Sequence, residues 1–208
     1  MFITFEGING SGKSTQAKLL YEKLLRDGYE VILTKEPSIK NDFCKSLRTL
    51  LVQTKDISKL TELFILYASR NEHIEKTIKP ALQDGKIVIC DRYIDSSYAY
   101  QCCEKPEIKN LVNTLHNSIG GLMPDITFFI DIPVAVSEER LAPLVYEAMV
   151  KGEGYKKYDE LATSHMQKIV DTYKQLATEN KDRITTIDGT QSINKISDKI
   201  YEIVKSKR

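Results

Sequence analysis

The segment Gly7-Ile8-Asn9-Gly10-Ser11-Gly12-Lys13-Ser14 constrains what this chain can fold into more than any other. It matches G-x-x-x-x-G-K-[ST] in full, and it lies between a short apolar run, Phe2 to Glu6, and a stretch of helical period, Ser14 to Arg26. A strand, a glycine-rich loop and a helix in that order form a cradle for a polyphosphate. The glycines let the backbone wrap the anion, and successive N–H groups and the helix dipole attract its charge. Lys13 reaches the terminal phosphates of the nucleotide, and Ser14 can ligate Mg2+. Gly7, Asn9, Gly10, Ser11, Gly12, Lys13, Ser14 and Thr15 are thus the candidate nucleotide-binding residues.

The rest of the chain repeats the alternation that the loop begins. Val31 to Thr34, Ile87 to Cys90 and Ile126 to Ile132 are short, β-branched or aromatic, and continuously apolar, the pattern of parallel strands covered on both faces. Arg183 to Asp188 is a weaker fifth strand. Helical periods at Ser14 to Arg26, Lys59 to Gln83, Ser164 to Ala177 and Ile193 to Lys205 lie between them. The alternation predicts an α/β fold with a doubly wound, parallel five-stranded sheet flanked by helices. No repeat or Pro/Gly-rich linker divides residues 1–208, so one domain is expected. Residues 141–160 differ from the rest, with a Gly-Glu-Gly break, three lysines and no strong period. They form a candidate lid with Arg140 at its entrance, although an ordinary surface connection looks similar.

Lys plus Arg number 30 and Asp plus Glu 29, a near-zero balance that argues against a general nucleic-acid or membrane-surface binder. No apolar run approaches the roughly 18 residues that cross a bilayer, and the N-terminus carries no export signal. Cys44, Cys90, Cys102 and Cys103 form no C-x-x-C pair and no metal set with His73, His116 and His165, so free thiols in a reducing cytoplasm are expected. The guanine and switch motifs of a regulatory GTPase, N-K-x-D and D-x-x-G, are not found in their expected context.

What accepts the phosphate is suggested by a second cluster. Asp91-Arg92-Tyr93-Ile94-Asp95-Ser96-Ser97-Tyr98-Ala99-Tyr100-Gln101 follows the third strand, at the edge where open α/β sheets bind ligands. With Lys35-Glu36-Pro37 after the second strand, Arg48, Arg70 and the late Ile187-Asp188-Gly189-Thr190 turn, this cluster resembles the thymidylate kinases over nearly the whole chain. The resemblance implies transfer of the ATP γ-phosphoryl group to the 5′-phosphate of thymidine monophosphate (dTMP), with Mg2+. It implies that Arg92 contacts the transferring phosphate with Lys13, that Asp91 stands near the metal with Ser14, and that Arg48 holds the acceptor phosphate. Arg70 then reads the thymine edge, with Ser97, Gln101, Tyr100, Glu36, Pro37, Leu66 and Asn9 around the nucleoside and Arg140 on the ATP side. A homodimer is implied too, with the apolar helix Leu63 to Ile78 able to supply one face, although that helix reads first as ordinary core.

In physical terms an acceptor phosphate oxygen is already ionised near pH 7, so the task is alignment and neutralisation of two anions, for which arginines and Mg2+ suffice. Asp131 ends a buried strand and could pass for a metal ligand, but Asp91 is preferred, and His73 reads as a solvent-facing helical residue. Tyr93 and Tyr98 read as core. The chain departs from the family pattern at Asn9, where an acid is common, at Leu66, where an aromatic is common, at Ser38-Ile39 in place of two glycines, and at Cys102 in place of glycine. Its lid candidates are Lys151, Lys156 and Lys157 rather than arginine, and Lys157-Tyr158-Asp159 resembles the family's step from lid to helix. Two alternatives stay open: a kinase for another deoxynucleoside monophosphate, and a regulatory protein that binds nucleotide without efficient transfer.

Overall fold

A computed structural model describes residues 1–54, 56–150 and 163–207. Strands β1 (Phe2–Glu6), β2 (Val31–Lys35), β3 (Ile87–Asp91), β4 (Ile126–Asp131) and β5 (Ile184–Asp188) form one sheet in the order β2-β3-β1-β4-β5. All four pairings are parallel, with Phe5 opposite both Asp91 and Phe128. The helices are α1 (Lys13–Arg26), α2 (Asp42–Gln53), α3 (Lys59–His73), α4 (Lys79–Gln83), α5 (Ile94–Gln101), α6 (Lys109–Ser118), α7 (Val134–Val150), α8 (Thr163–Glu179) and α9 (Ile193–Ser206).

The period-2 geometry of a strand sends alternate side chains to opposite faces, and here both faces are covered. Ile3, Phe5, Ile89 and Phe128 share a core with Leu20 and Leu24 of α1 and Ile200 and Val204 of α9. Phe2, Val88, Cys90 and Phe129 share the opposite core with Leu63, Tyr93, Ile169 and Tyr173. Tyr93 and Tyr98 are buried, as expected of core residues. Because every strand is parallel, the loops leaving their carboxyl ends gather on one edge of the sheet, where the site lies.

The expected elements are present with small differences. The period from Lys59 to Gln83 is one continuous run, but a π turn at Ile74–Ile78 separates α3 from α4. It falls just before Pro80, which has no N–H to give to the preceding turn. Helix α5 shows no apolar period because it is buried nearly all round, with Asp95, Ser97 and Gln101 inside as well as Ile94 and Ala99. The first half of the candidate lid is helical: α7 runs to residue 150 with Pro143 inside it, and Leu141 and Val145, one turn apart, line the same cavity. The remainder, residues 151–160 with Lys151, Lys156, Lys157 and the Lys157-Tyr158-Asp159 step, lies outside the described residues.

Among the described residues no helix is long and apolar enough to cross a membrane. The four cysteines are free thiols.

Candidate active site

The phosphate loop is built by close approach. Gly7 has φ 137°, and a Cβ there would lie 2.6 Å from the Ile130 carbonyl oxygen, so only glycine lets β1 turn so tightly beside β4. Gly10 has φ 72° and would bring a Cβ to 3.1 Å from the Ser137 carbonyl oxygen on α7. Ser137 Oγ donates to the Asn9 carbonyl at 2.7 Å, and Arg140 donates to the carbonyls of Gly10 and Gly189 at 3.2 and 3.0 Å. Helix α7 and the β5–α9 turn thus brace the loop from outside. At its N-terminus α1 has neither a side-chain cap nor an acid in its first turn, which leaves its N–H groups and dipole for an anion.

Lys13 is buried and donates to the Ile8 carbonyl at 2.8 Å. Burial, followed by the Arg92 charge, pushes its ammonium down to about 7, against the pull of Asp91 and Glu6. A polyphosphate beside it favours the charged form. Ser14 Oγ donates to Asp91 Oδ2, so a hydroxyl and a carboxylate meet at the mouth of the loop. That donor set suits a hard divalent ion that takes its remaining ligands from phosphate and water, as Mg2+ does. Among the described residues no group of three or more His, Cys, Asp or Glu could hold a metal.

Arg92 directly follows β3 at φ 70°, the one positive φ outside glycine among the described residues. That conformation costs about 1–2 kcal/mol, and it is held by what the side chain touches. Its guanidinium donates to Asn9 Oδ1 at 2.7 Å, Tyr100 OH at 3.1 Å and Ser96 Oγ at 3.2 Å, and its Cζ stands 4.9 Å from the Tyr100 ring centroid. Behind it, buried Glu6 accepts from the Tyr93 N–H at 2.7 Å, Ser96 Oγ at 2.6 Å and Tyr173 OH at 2.9 Å. Burial and then the Asp95 charge push the Glu6 carboxyl up to about 7, while Ser96 and Arg92 pull it down. Asp95 is itself paired with Arg183 at 2.7 Å.

On the other side, Arg70 Nε donates to Glu36 Oε2 at 2.7 Å and Nη2 to the Tyr93 carbonyl at 3.1 Å, leaving Nη1 without a hydrogen-bond partner among the described residues. Burial alone pushes the Glu36 carboxyl up, but Arg70 and His73 outweigh it and hold the group below its ordinary range. His73 is not the solvent-facing residue its position suggested. It is 1% exposed, bonded to Glu36 Oε1 at 3.2 Å and Thr34 Oγ1 at 2.8 Å, because the end of β2 packs against α3. Arg48 donates to the Pro37 carbonyl at 3.1 Å. Gln101 Nε2 donates to Glu62 at 2.6 Å, while Gln101 Oε1 and Ser97 Oγ are buried without a hydrogen-bond partner among the described residues.

One cavity of about 1010 Å³ joins these groups. Its wall includes every predicted site residue except Gly7, which shapes the loop from beneath: Asn9 to Thr15, Glu36, Pro37, Arg48, Leu66, Arg70, Asp91, Arg92, Ser97, Tyr100, Gln101 and Arg140. It also includes Gly189 of the late turn, and Gln16 and Gln191, which carry no motif of their own. Asp131 is not on this wall; it lies by Lys174 at 3.5 Å. Near the departures from the family pattern, Leu66 lines the cavity, Phe64 is 49% exposed, and Tyr67 is buried with Arg70 4.7 Å over its ring.

Comparisons with known proteins agree with this geometry. The profile described as thymidylate kinase matches residues 5–200. A thymidylate kinase of Orientia tsutsugamushi is 38% identical over 207 residues, 99% of this chain and 93% of that protein. One from Ehrlichia ruminantium is 40% identical over 202 residues, 95% and 94% of the two chains. The crystal structure of a thymidylate kinase from Ehrlichia chaffeensis superposes with a TM-score of 0.77 at 34% identity, covering 99% of this chain and 98% of that one. Matched along its length in sequence and in fold, the chain belongs to the thymidylate kinase family.

Proposed function

We propose that the chain transfers the γ-phosphoryl group of ATP to dTMP, giving dTDP and ADP, with the roles of its residues as follows. The observation that carries the reading is the single cavity whose wall holds both a phosphate loop and a separate set of buried, half-satisfied polar groups on α3 and α5. Gly10 to Thr15 hold the triphosphate, with Lys13 on its terminal phosphates, and Arg140 keeps the loop in place through the Gly10 carbonyl. Ser14 and Asp91 are the groups that would hold Mg2+, whose charge offsets that of the phosphates. Arg48 receives the acceptor phosphate. Arg92, fixed between the loop residue Asn9 and the α5 residue Tyr100, stands where donor and acceptor meet and stabilises charge on the transferring group. No general base is required, because the acceptor oxygen is already ionised.

Arg70 Nη1 offers a donor and Gln101 Oε1 an acceptor, the complement of a thymine C4 carbonyl and N3–H. Leu66 and Pro37 supply apolar cover for the base, and Ser97 a further polar group. Uracil differs by one methyl, a contrast worth only about 1–3 kcal/mol.

The test is ADP formation with Mg-ATP and matched concentrations of dTMP, dUMP, dCMP, dGMP and AMP. dTMP is expected to be the best acceptor, with dUMP weaker by about 10- to 200-fold in kcat/KM. A different best acceptor would make Asn9, Leu66 and Ser38 determinants of that other specificity. ATP binding without turnover on any acceptor would favour the regulatory alternative.

We propose further that the protein is a cytoplasmic homodimer. Leu63, Tyr67, Ile74 and Ile78 of the suggested interface helix belong to the core, whereas Leu60 and Phe64 on α3 and Phe43 and Leu50 on α2 are exposed, each pair on one helix face. Exposed large apolar side chains on two neighbouring helices are what an association surface would use. Sedimentation velocity should give twice the chain mass, and a monomer at micromolar concentration would contradict it.

A further inference from the structure

Gln101 makes the acceptor pocket selective only if its amide points one way. Flipped by half a turn, the same side chain would present an NH2 donor to the base in place of an oxygen, and the pocket would lose its match to an N3–H. Nothing in an amide itself prefers one orientation, so a neighbour must decide it. That neighbour is Glu62 on α3. It is fully buried, it is not part of the cavity wall, and its Oε1 lies 2.6 Å from Gln101 Nε2. In its ionised form a carboxylate can only accept, and with the Gln101 NH2 donating to Glu62 the oxygen is the group left over. That oxygen has no partner among the described residues, although Gln101 is 3% exposed and lines the cavity.

We infer that Glu62 is a positioning residue for base specificity: by holding the Gln101 amide, it makes the pocket accept an imide edge and reject cytosine. The inference rests on the dTMP reading above. The pattern formed with Arg70 gives it chemical content. Arg70 Nε and Nη2 are occupied by Glu36 and the Tyr93 carbonyl, so Nη1 is the donor that remains. One fixed donor and one fixed acceptor fit C4=O and N3–H of thymine or uracil. Cytosine offers an amino donor and a bare N3 acceptor at the same places, so it sets donor against donor and acceptor against acceptor. Such a mismatch inside a buried pocket is not relieved by water.

Glu62→Gln tests this directly. A glutamine at 62 can either accept from or donate to Gln101, so the amide is free to turn and a cytosine base can recruit the flipped form. The ratio of kcat/KM for dTMP over dCMP is expected to fall about tenfold or more. The change should appear mainly as a lower KM for dCMP, with the KM for ATP little altered. The swapped pair Glu62→Gln with Gln101→Glu restores a donor facing a carboxylate and leaves an oxygen toward the base, so it should recover most of the preference for dTMP. A dTMP:dCMP ratio unchanged in Glu62→Gln overturns the inference, and so does an equal loss on both acceptors, the mark of a structural role. If Glu62→Gln does not fold, the swapped pair decides, and failure of that pair to favour dTMP overturns it. Failure of the wild-type chain to prefer dTMP overturns the function reading itself, whereas a wild-type preference that Glu62→Gln leaves intact overturns this inference alone.

Discussion

Replacing Arg92 by alanine is expected to lower kcat for dTMP about 10³-fold, the scale on which a single arginine aimed at a transferring phosphoryl group acts. The KM for ATP should change little, since Lys13 and the loop amides remain. Arg92→Lys should recover only part of the loss, because an ammonium keeps the charge but cannot bridge Asn9, Ser96 and Tyr100 as a planar fork does. Backbone strain offers a separate check. At φ 70° glycine is unstrained and alanine is not, so Arg92→Gly should be more stable than Arg92→Ala by about 1 kcal/mol while being equally inactive. Such a pair of results would show that the strained position is occupied for the sake of the side chain. Steady-state kinetics and thermal melts suffice, and an Arg92→Ala enzyme within tenfold of wild-type kcat would contradict the assignment.

The largest loss of stability is expected from Glu36→Ala. Its carboxylate and the Arg70 guanidinium are 6% and 3% exposed, and removing one leaves the other as an unpaired buried charge. The cost of such a change is about 3–5 kcal/mol, which corresponds to a fall in Tm of roughly 6–20 °C for a chain of this size. Removing both charges should be milder, so Glu36→Ala with Arg70→Met should melt above Glu36→Ala alone. The pH dependence has a definite sign. The Glu36 carboxyl is lowered in the folded chain, so its stabilisation is full above the ordinary glutamate range and is lost as pH falls through the lower folded value. The gap in Tm between wild type and Glu36→Ala should accordingly narrow in acid. A Tm within 2 °C of wild type at neutral pH would show that the pair is not the buried anchor described above.

Legibility in the sequence followed the range over which each feature is encoded. The phosphate loop is local, since spacing along the chain is itself the geometry, and the buried strands announce themselves as unbroken apolar runs. Arg48, Arg70, Ser97 and Gln101 could be named through a family resemblance, and they all line one cavity. The interactions that hold them are long-range and carry no motif. His73 looked like an ordinary exposed helical histidine because the sequence does not reveal that Thr34 and Glu36, nearly forty residues earlier, close over it. Glu6 read only as the end of a strand, yet it is bound to Tyr93, Ser96 and Tyr173 from two other parts of the chain. Helix α5 escaped the period test because a helix buried on every side has no polar face to set the rhythm. Gln16 and Gln191 showed no sign of belonging to the site, since only the packing of α1 beside the β5–α9 turn brings them to its wall.

Direct transfer from a triphosphate to a nucleoside monophosphate within one cavity fixes the fate of the γ-phosphorus. The chain is incubated with Mg2+, dTMP and ATP labelled at the γ-position, and the products are separated. Label is expected in the β-phosphate of dTDP, in equal amount to the ADP formed, with little inorganic phosphate. Label released as inorganic phosphate, or ADP formed at the same rate without dTMP, would contradict it.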